Sequence, residues 1–392
     1  MKVFVKGLNA CGMRKINVDQ YEKFLAANGH EVTRHPTGSD VILLWTCAFR
    51  GDFRDNSLSE IKRYAKEYES ELIVIGCLPD IDRELLEKEF AGRFINWRDD
   101  AKQLETYFGS LNKRLADIPR KLGEIPLTDD VDRYKKENPG KDAQFADQFI
   151  KLFVAEGCMF KCSYCSEILA FPPFRSFSEE ELVCECRKLV NETGRHEVML
   201  LGDSVGDYGY DIGSTLPNLI RKLRTVHPEL KIALQGYNPA CFVRYFDEMK
   251  EFLEKGWIRH MQLPIQSASQ KMLRLMNRPY LREHIDMVFS LLNDIGFKEF
   301  DTHIIIGFPG ETDADIEETV QFIFRHRPKY VLANQYMESP NMPSSKLPGK
   351  VDDETKRRRL KSTAKRIKEA GILCNSDDSE LSGCRFLTIN TI

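Results

Sequence analysis

The sequence predicts an α/β protein in two parts: an N-terminal domain on an open parallel sheet, followed by a partial, TIM-like (βα)6 barrel. Two observations predict this fold class. Short apolar runs of the buried parallel-strand type alternate with helix-like stretches along most of the chain. A polar segment with turn formers and no periodicity, residues 126–147, interrupts the alternation once and indicates a linker.

The N-terminal domain is expected to span residues 1–125, with strands KVFVKG (2–7), VILLWTC (41–47) and LIVIGC (72–77). Helix-like stretches such as NVDQYEKFLAANGH and DNSLSEIKRYAKEY separate them. Cys11 lies just past the first strand, Cys47 ends the second and Cys77 ends the third. Because ligands of an open parallel sheet collect outside the carboxyl ends of its strands, we expect these three cysteines to converge at one sheet edge.

The second part is expected to span residues 148–350 and to contain six strands. These strands are FIKLFVAE (149–156), EVMLLGD (197–203), LKIALQ (230–235), RHMQLPIQ (259–266), THIIIGF (302–308) and YVLANQY (330–336). Six βα units are too few for a closed eight-stranded barrel but suit an open, partial one. The site of such a fold lies at the carboxyl ends of its strands.

Charge and cysteine content narrow the class of protein. The 392 residues suffice for two or three domains, and a formal net charge of −3 gives no global reason to expect a polyanionic partner. No apolar run approaches the roughly 18 to 20 residues that span a bilayer, so a cytoplasmic protein with no membrane partner is expected. Thiols stay reduced there, so eleven cysteines favour metal ligation or buried thiols over disulfides.

Three of these cysteines lie within eight positions: Cys158, Cys162 and Cys165. A structural zinc site would normally need a fourth ligand nearby, and a chance thiol cluster is the other alternative. Three thiolates on a 4Fe–4S cluster would leave one iron free to bind a cofactor. Among the cofactors that bring radical chemistry, S-adenosylmethionine has an amino group and a carboxylate that could chelate that iron.

The segment CMFKCSYC (158–165), a CxxxCxxC motif with Tyr164 before its last cysteine, resembles the signature of the radical S-adenosylmethionine enzymes. Further motifs resemble the methylthiotransferases of that superfamily, which act on tRNA adenosines or on a ribosomal protein. These motifs are TCAFR (46–50), GCLPD (76–80), LPIQSASQKMLRLMNR (263–278) and IIIGFPGET (304–312).

The resemblance implies two 4Fe–4S clusters. Cys158, Cys162 and Cys165 would hold the cluster that binds S-adenosylmethionine, and Cys11, Cys47 and Cys77 would hold an auxiliary cluster. It also implies contacts to S-adenosylmethionine, near its amino group, ribose, carboxylate and adenine. The residues implied for these contacts are Tyr164, Gly202, Asp203, Gln266, Arg278, Gly307 and Phe308.

The implied reaction inserts sulfur into an unactivated C–H bond and then methylates it. A 5′-deoxyadenosyl radical would abstract the hydrogen, the auxiliary cluster would present the sulfur, and a second S-adenosylmethionine would donate the methyl group. A reducing partner such as flavodoxin or ferredoxin would supply electrons. Sulfur insertion without methylation, and a non-catalytic iron–sulfur or RNA-binding protein, are the alternatives.

The chain departs from the family pattern at two places. Ala10, Arg14 and Asn17 replace the family's glycine, asparagine and aspartate around the first cysteine. Residues 351–392 read as a basic helix and a short polar tail, in place of the family's substrate-binding β-barrel. This favours a peptide or protein substrate, such as a ribosomally synthesised precursor peptide, with tRNA adenosine as the alternative. The tail contains Cys374 and Cys384, for which the sequence predicts no role.

Overall fold

The computed structural model describes residues 1–8, 12–49, 51–109, 112–120, 122–123 and 149–376. These residues form two compact units. The first comprises the described chain up to residue 123 together with residues 166–174 and 339–341, and the second comprises the remainder. The expected linker, residues 126–147, lies outside the described residues.

The first unit is built on a parallel sheet whose described strands are ordered β2-β1-β3-β4-β5. Its strands are β1 (Lys2–Gly7), β2 (Glu31–Thr33), β3 (Val41–Thr46), β4 (Glu71–Gly76) and β5 (Arg93–Asn96). Every residue of the central strand β3 is buried, as its uniformly apolar sequence predicts. The first three predicted strands therefore correspond to β1, β3 and β4.

Helices follow the strands of the first unit. They are α1 (Gly12–Ala27), α2 (Gly51–Glu67), α3 (Leu78–Ile81), α4 (Arg83–Glu89), α5 (Asp100–Phe108) and α6 (Glu167–Ala170). Both long helices begin earlier along the chain than their apolar periodicity suggests, shortly after the carboxyl ends of β1 and β3. After β3, the described residues 47–49 therefore lie between the end of a strand and the start of a helix.

The second unit is built on a mostly parallel sheet whose described strands are ordered β13-β12-β11-β10-β9-β8-β6-β7. Only β7 is antiparallel to its described neighbour, β6. The strands are β6 (Ile150–Glu156), β7 (Arg175–Ser176), β8 (Glu197–Gly202), β9 (Lys231–Leu234), β10 (Ile258–Gln262), β11 (Phe300–Ile306), β12 (Tyr330–Gln335) and β13 (Leu373–Ser376). All six predicted strands of this part are present, and the predicted α/β fold class is confirmed.

Helices alternate with these strands. They are α7 (Glu179–Thr193), α8 (Leu216–Arg224), α9 (Pro239–Arg244), α10 (Phe246–Glu254), α11 (Gln270–Leu275), α12 (Arg282–Ile295), α13 (Asp313–His326) and α14 (Asp353–Glu369). Their ends follow local sequence. The Ser178 side chain caps α7, Gly194 ends it in the left-handed conformation, and Thr312 with Asp315 forms a capping box at the start of α13. Each helix among the described residues is either too short or too polar to span a bilayer.

The polar tail that follows the last helix begins with a strand. Leu373–Ser376 forms β13, which pairs in parallel with β12 and brings Leu373 opposite Tyr330. Ile372 and Cys374 are buried, at 4% exposure each. The polar composition concealed this strand because it lies at a sheet edge and needs only alternate apolar positions. Cys384 lies outside the described residues.

Candidate active site

The loop that carries Cys158, Cys162 and Cys165 follows the carboxyl end of β6. Gly157 turns the chain with a φ of +82°, a conformation that favours glycine. The loop is then fixed to the turn after α11. The backbone N–H of Ser163 donates to the Met276 carbonyl at 3.0 Å, and its hydroxyl donates to the Leu275 carbonyl at 2.7 Å. These two hydrogen bonds hold Ser163, in the middle of the loop, against that turn.

The Cys158 thiol lies in an environment that disfavours its thiolate in the absence of a cation. Cys162 is buried, while Cys158 and Cys165 are half-buried. Burial, together with the nearby Cys162, Asp203 and Asp207, raises the pKa of the Cys158 thiol to about 12. Because iron ions supply compensating positive charge to their thiolate ligands, this donor set fits an iron–sulfur cluster.

Arg278 makes contact with this loop. Its guanidinium donates from Nη1 to the Cys162 Sγ at 3.2 Å and to the Tyr164 hydroxyl at 3.3 Å. Nε donates to the Tyr280 hydroxyl at 2.8 Å, and Nη2 donates to the Pro264 carbonyl at 3.0 Å. Two of the predicted cofactor residues, Tyr164 and Arg278, are therefore grouped around a predicted cluster ligand.

Gly202 and Asp203 end β8 next to the same loop. A Cβ on Gly202 would lie 2.7 Å from the Ala155 carbonyl oxygen of the neighbouring strand β6, so glycine is required there. The Asp203 Oδ2 accepts a hydrogen bond from the Gly157 N–H at 2.8 Å. The carboxylate thus lies beside the start of the cysteine loop, one residue before Cys158.

The sequence did not single out a second carboxylate in this region, Asp207. It is 2% exposed and accepts hydrogen bonds from the Ser204 hydroxyl at 2.6 Å and from Arg244 at 2.9 Å. Nearby, the Tyr237 hydroxyl is buried and makes no hydrogen bond among the described residues. The segment GDSVGD, with a second Gly-Asp after the strand, was the available signal for Asp207.

Gln266 adopts a conformation that is uncommon for its residue type, with a φ of +67°. Its backbone N–H donates to the His303 carbonyl at 2.8 Å, and its carbonyl accepts from the Ile305 N–H at 2.9 Å. Its side-chain Oε1 is buried and has no hydrogen-bond partner among the described residues. An unpaired buried amide oxygen is costly, so its presence supports contact with a ligand donor such as a hydroxyl.

The GFPGET turn follows β11. Gly307 has a φ of +82°, and its N–H donates to the Glu311 carboxylate at 2.6 Å. Burial raises the pKa of Glu311 to about 8, against the opposing effects of this hydrogen bond and of Arg359. Phe308 is fully buried in an apolar cluster and packs against Tyr336 with ring centroids 5.0 Å apart. Its ring supports the turn from within the core.

In the first unit, Cys47 and Cys77 follow adjacent strands. Thr46 and Gly76, the last residues of β3 and β4, are register partners, and the Cys77 N–H donates to the Thr46 carbonyl at 2.9 Å. Since parallel strands lie about 4.8 Å apart, the two cysteines start from neighbouring positions. β1, which precedes Cys11, pairs with β3 on its other side. Cys11 itself lies outside the described residues.

Arg14, which replaces a family asparagine, is buried in the first unit at 3% exposure. Its guanidinium lies over the Trp97 ring at 4.2 Å and over the Phe171 ring at 5.4 Å, and these two rings meet edge to face at 6.0 Å. Such stacking suits arginine better than lysine. The departure from the family pattern is therefore accommodated by an aromatic cage.

Comparison with protein-family models agrees with both halves of the sequence. The model of the Radical SAM superfamily matches residues 152–323, and that of the Uncharacterized protein family UPF0004 matches residues 2–95. The fold and the CxxxCxxC loop thus define a radical S-adenosylmethionine enzyme, a class that uses a 4Fe–4S cluster and S-adenosylmethionine. With both models matched, the chain belongs to the radical S-adenosylmethionine methylthiotransferase family, as the sequence motifs predict.

Several curated relatives match most of this chain at low identity. A probable threonylcarbamoyladenosine tRNA methylthiotransferase of Pyrococcus horikoshii is 25% identical over 91% of this chain and 82% of its own length. The ribosomal protein uS12 methylthiotransferase RimO of Thermotoga maritima is 28% identical over 92% of this chain and 81% of its own length. The threonylcarbamoyladenosine tRNA methylthiotransferase of Xenopus laevis is 30% identical over 86% of this chain and 60% of its own length.

Solved structures resemble this chain in fold. The radical S-adenosylmethionine methyltransferase TsrM of Kitasatospora setae, solved with cobalamin and a 4Fe–4S cluster, superposes with a TM-score of 0.62 at 13% identity. The alignment covers 88% of this chain and 76% of that one. The cobalamin-dependent enzyme OxsB gives a TM-score of 0.52 at 11% identity, over 94% and 56%. These likenesses concern the fold alone.

Proposed function

We propose that this methylthiotransferase uses two 4Fe–4S clusters to insert sulfur into an unactivated C–H bond, and that a second S-adenosylmethionine methylates that sulfur. When bound, the clusters and the cofactor supply one-electron reduction, hydrogen abstraction, the sulfur and the methyl group. The observation that carries the proposal is the placement of cysteines directly after parallel strands in both units, where such folds collect ligands.

The residues of the second unit would divide the work of holding the cofactor. Cys158, Cys162 and Cys165 would ligate three irons of the first cluster and leave one iron open. The unpaired Gln266 Oε1 would accept a hydrogen bond from a ribose hydroxyl, and Asp203 would face the methionine amino group. Gly307, held by Glu311, would allow the backbone to approach the adenine.

The first unit would hold the auxiliary cluster through Cys11, Cys47 and Cys77. The register of β3 and β4 pairs Thr46 with Gly76, the residues just before Cys47 and Cys77, and this supports a shared ligand set. Each reductive turnover needs an external electron, so a protein donor such as a flavodoxin or ferredoxin is part of the proposal.

A peptide or protein is the proposed substrate. The chain has a formal net charge of −3, which offers no general attraction for a polyanion. Exposed apolar side chains follow the carboxyl ends of three strands of the second unit: Met159 after β6, Tyr210 and Ile212 after β8, and Met337 after β12. Apolar side chains in such positions suit an amino-acid side chain better than a phosphate backbone.

RNA is the second candidate substrate, because one surface of the second unit favours it. The exposed face of α14 carries Arg357, Arg358, Lys361, Lys365 and Lys368. Spacings of three and four residues place most of these cations along one helix side, where they could neutralise phosphates. Relatives named as tRNA methylthiotransferases point in the same direction.

The test is a product assay under anaerobic conditions. The reconstituted enzyme, S-adenosylmethionine and a reductant are incubated with a precursor-peptide library or with tRNA, and products are read by mass spectrometry. The proposal predicts 5′-deoxyadenosine and a substrate heavier by a CH₂S unit; a gain of sulfur alone would indicate insertion without methylation. Cys162→Ala should abolish 5′-deoxyadenosine, whereas Cys184→Ala, which changes an exposed cysteine on α7, should not. Absence of 5′-deoxyadenosine from the wild-type enzyme would contradict the proposal.

A further inference from the structure

We propose that Arg278 sets the reduction potential of the cluster held by Cys158, Cys162 and Cys165, and that it is not principally a clamp for the cofactor carboxylate. The inference rests on the proposed function, because it requires that cluster. Its basis is the way in which the guanidinium is already engaged by the protein.

The donors of Arg278 are nearly all committed. A guanidinium has five N–H groups, and four hydrogen bonds to Tyr280, Cys162, Tyr164 and Pro264 use four of them. A bidentate grip on a carboxylate needs two parallel N–H groups on one edge. With one N–H remaining, that grip would require breaking contacts that the fold supplies.

The same contacts hold the guanidinium in a fixed orientation toward Cys162. The Tyr280 hydroxyl, which accepts from Nε, itself donates to the Ile265 carbonyl at 3.0 Å. The Pro264 carbonyl, just after β10, fixes Nη2. Arg278 also follows Met276, whose carbonyl anchors the cysteine loop through Ser163. One short turn thus positions both the thiol and the cation that contacts it.

The sign of the effect follows from electrostatics. Reduction adds one electron to the cluster, and a cation that donates to a ligand sulfur stabilises the more negative state. Arg278 therefore makes the cluster easier to reduce. Because both oxidation states keep part of this hydrogen bond to a charged sulfur, only its difference counts, and we expect about a tenfold effect on the reduction equilibrium.

The experiment is a potentiometric titration of the reconstituted enzyme, followed by the electron paramagnetic resonance signal that changes when S-adenosylmethionine is added. Arg278→Gln should lower the midpoint, with a tenfold change equal to 59 mV for one electron. Arg278→Lys should lower it less, because an ammonium retains the charge but not the planar fork. Arg274→Gln, at an exposed position of α11, should leave it unchanged.

S-adenosylmethionine affinity, measured on the same proteins, distinguishes the two roles. The inference predicts a lowered midpoint with affinity within about threefold of wild type. An unchanged midpoint together with an affinity loss of tenfold or more would overturn it and assign Arg278 to the carboxylate. If the Arg278→Gln variant holds no iron, the midpoint and the affinity of the Arg278→Lys variant distinguish the two roles. A wild-type enzyme with no cofactor-responsive signal would instead refute the proposed function.

Discussion

Replacing Glu311 by glutamine is expected to weaken the dependence of the enzyme's stability on pH. Glu311 is 7% exposed, and burial raises its pKa from 4.5 to about 8. The folded protein therefore holds a proton that the unfolded chain releases. The stabilisation that the protonated Glu311 contributes is fully present below about pH 4.5 and is lost as the pH rises through about 8. Glutamine keeps the shape and can still accept from the Gly307 N–H, but it does not ionise.

The magnitude follows from the two pKa values. One pKa unit corresponds to 1.36 kcal/mol, so the linkage relation gives a loss of about 3 kcal/mol between about pH 5.5 and pH 8.5. For a unit of roughly 150 to 250 residues, this is about 6 to 12 °C in Tm. The glutamine variant should lack this component and retain only the pH dependence of the other groups.

Thermal denaturation of the reconstituted enzyme across that pH range provides the measurement. Glu318→Gln is a matched control, because it removes an exposed carboxylate from α13, the helix that begins two residues after Glu311. The difference in Tm between the control and Glu311→Gln should change with pH by the stated amount. Parallel curves for the two variants would refute the assignment of a buried, protonated Glu311.

Two further substitutions test the packing behind the site. Gly202→Ala places a Cβ 2.7 Å from the Ala155 carbonyl oxygen, so β6 and β8 must separate. We expect the free energy of unfolding, measured by chemical denaturation, to fall by about 1 to 3 kcal/mol. An unchanged denaturation midpoint would contradict this. Asp207→Asn removes the buried carboxylate that binds Arg244 and Ser204, and it should lower the free energy of unfolding by about 2 kcal/mol. This is less than the loss for a fully buried ion pair, because the Arg244 side chain is 43% exposed. A variant as stable as wild type would show that this carboxylate is not holding Arg244 in place.

The sequence predicted the strands that lie inside the sheets and missed those at their edges. β3 reads as VILLWT and is buried throughout, so its pattern is unambiguous. β2 and β5 are edge strands of three and four residues with partly exposed positions. β13 adds to β12 through a four-residue segment that its composition does not distinguish from a loop. An edge strand is stabilised by one neighbour, and that neighbour is supplied by the fold.

In the candidate site, too, the sequence predicted the positions at strand ends and missed the contacts between distant residues. An apolar run followed by a cysteine places Cys47 and Cys77 at strand ends, because the carboxyl ends of parallel strands share one edge. The contact between Arg278 and Cys162 joins residues 116 positions apart, and no local pattern encodes it. The segment RPY places Tyr280 two residues after Arg278, yet only the folded turn shows that its hydroxyl fixes the guanidinium.

The iron and sulfide content of cysteine variants shows whether the chain holds two clusters. We expect about eight irons and eight sulfides per reconstituted wild-type chain, since each three-cysteine set would hold a four-iron cluster. Replacing Cys158, Cys162 and Cys165 together should leave about four irons, and so should replacing Cys11, Cys47 and Cys77 together. A wild-type chain with only four irons, or an N-terminal triple variant that keeps all of its iron, would contradict the two-cluster account.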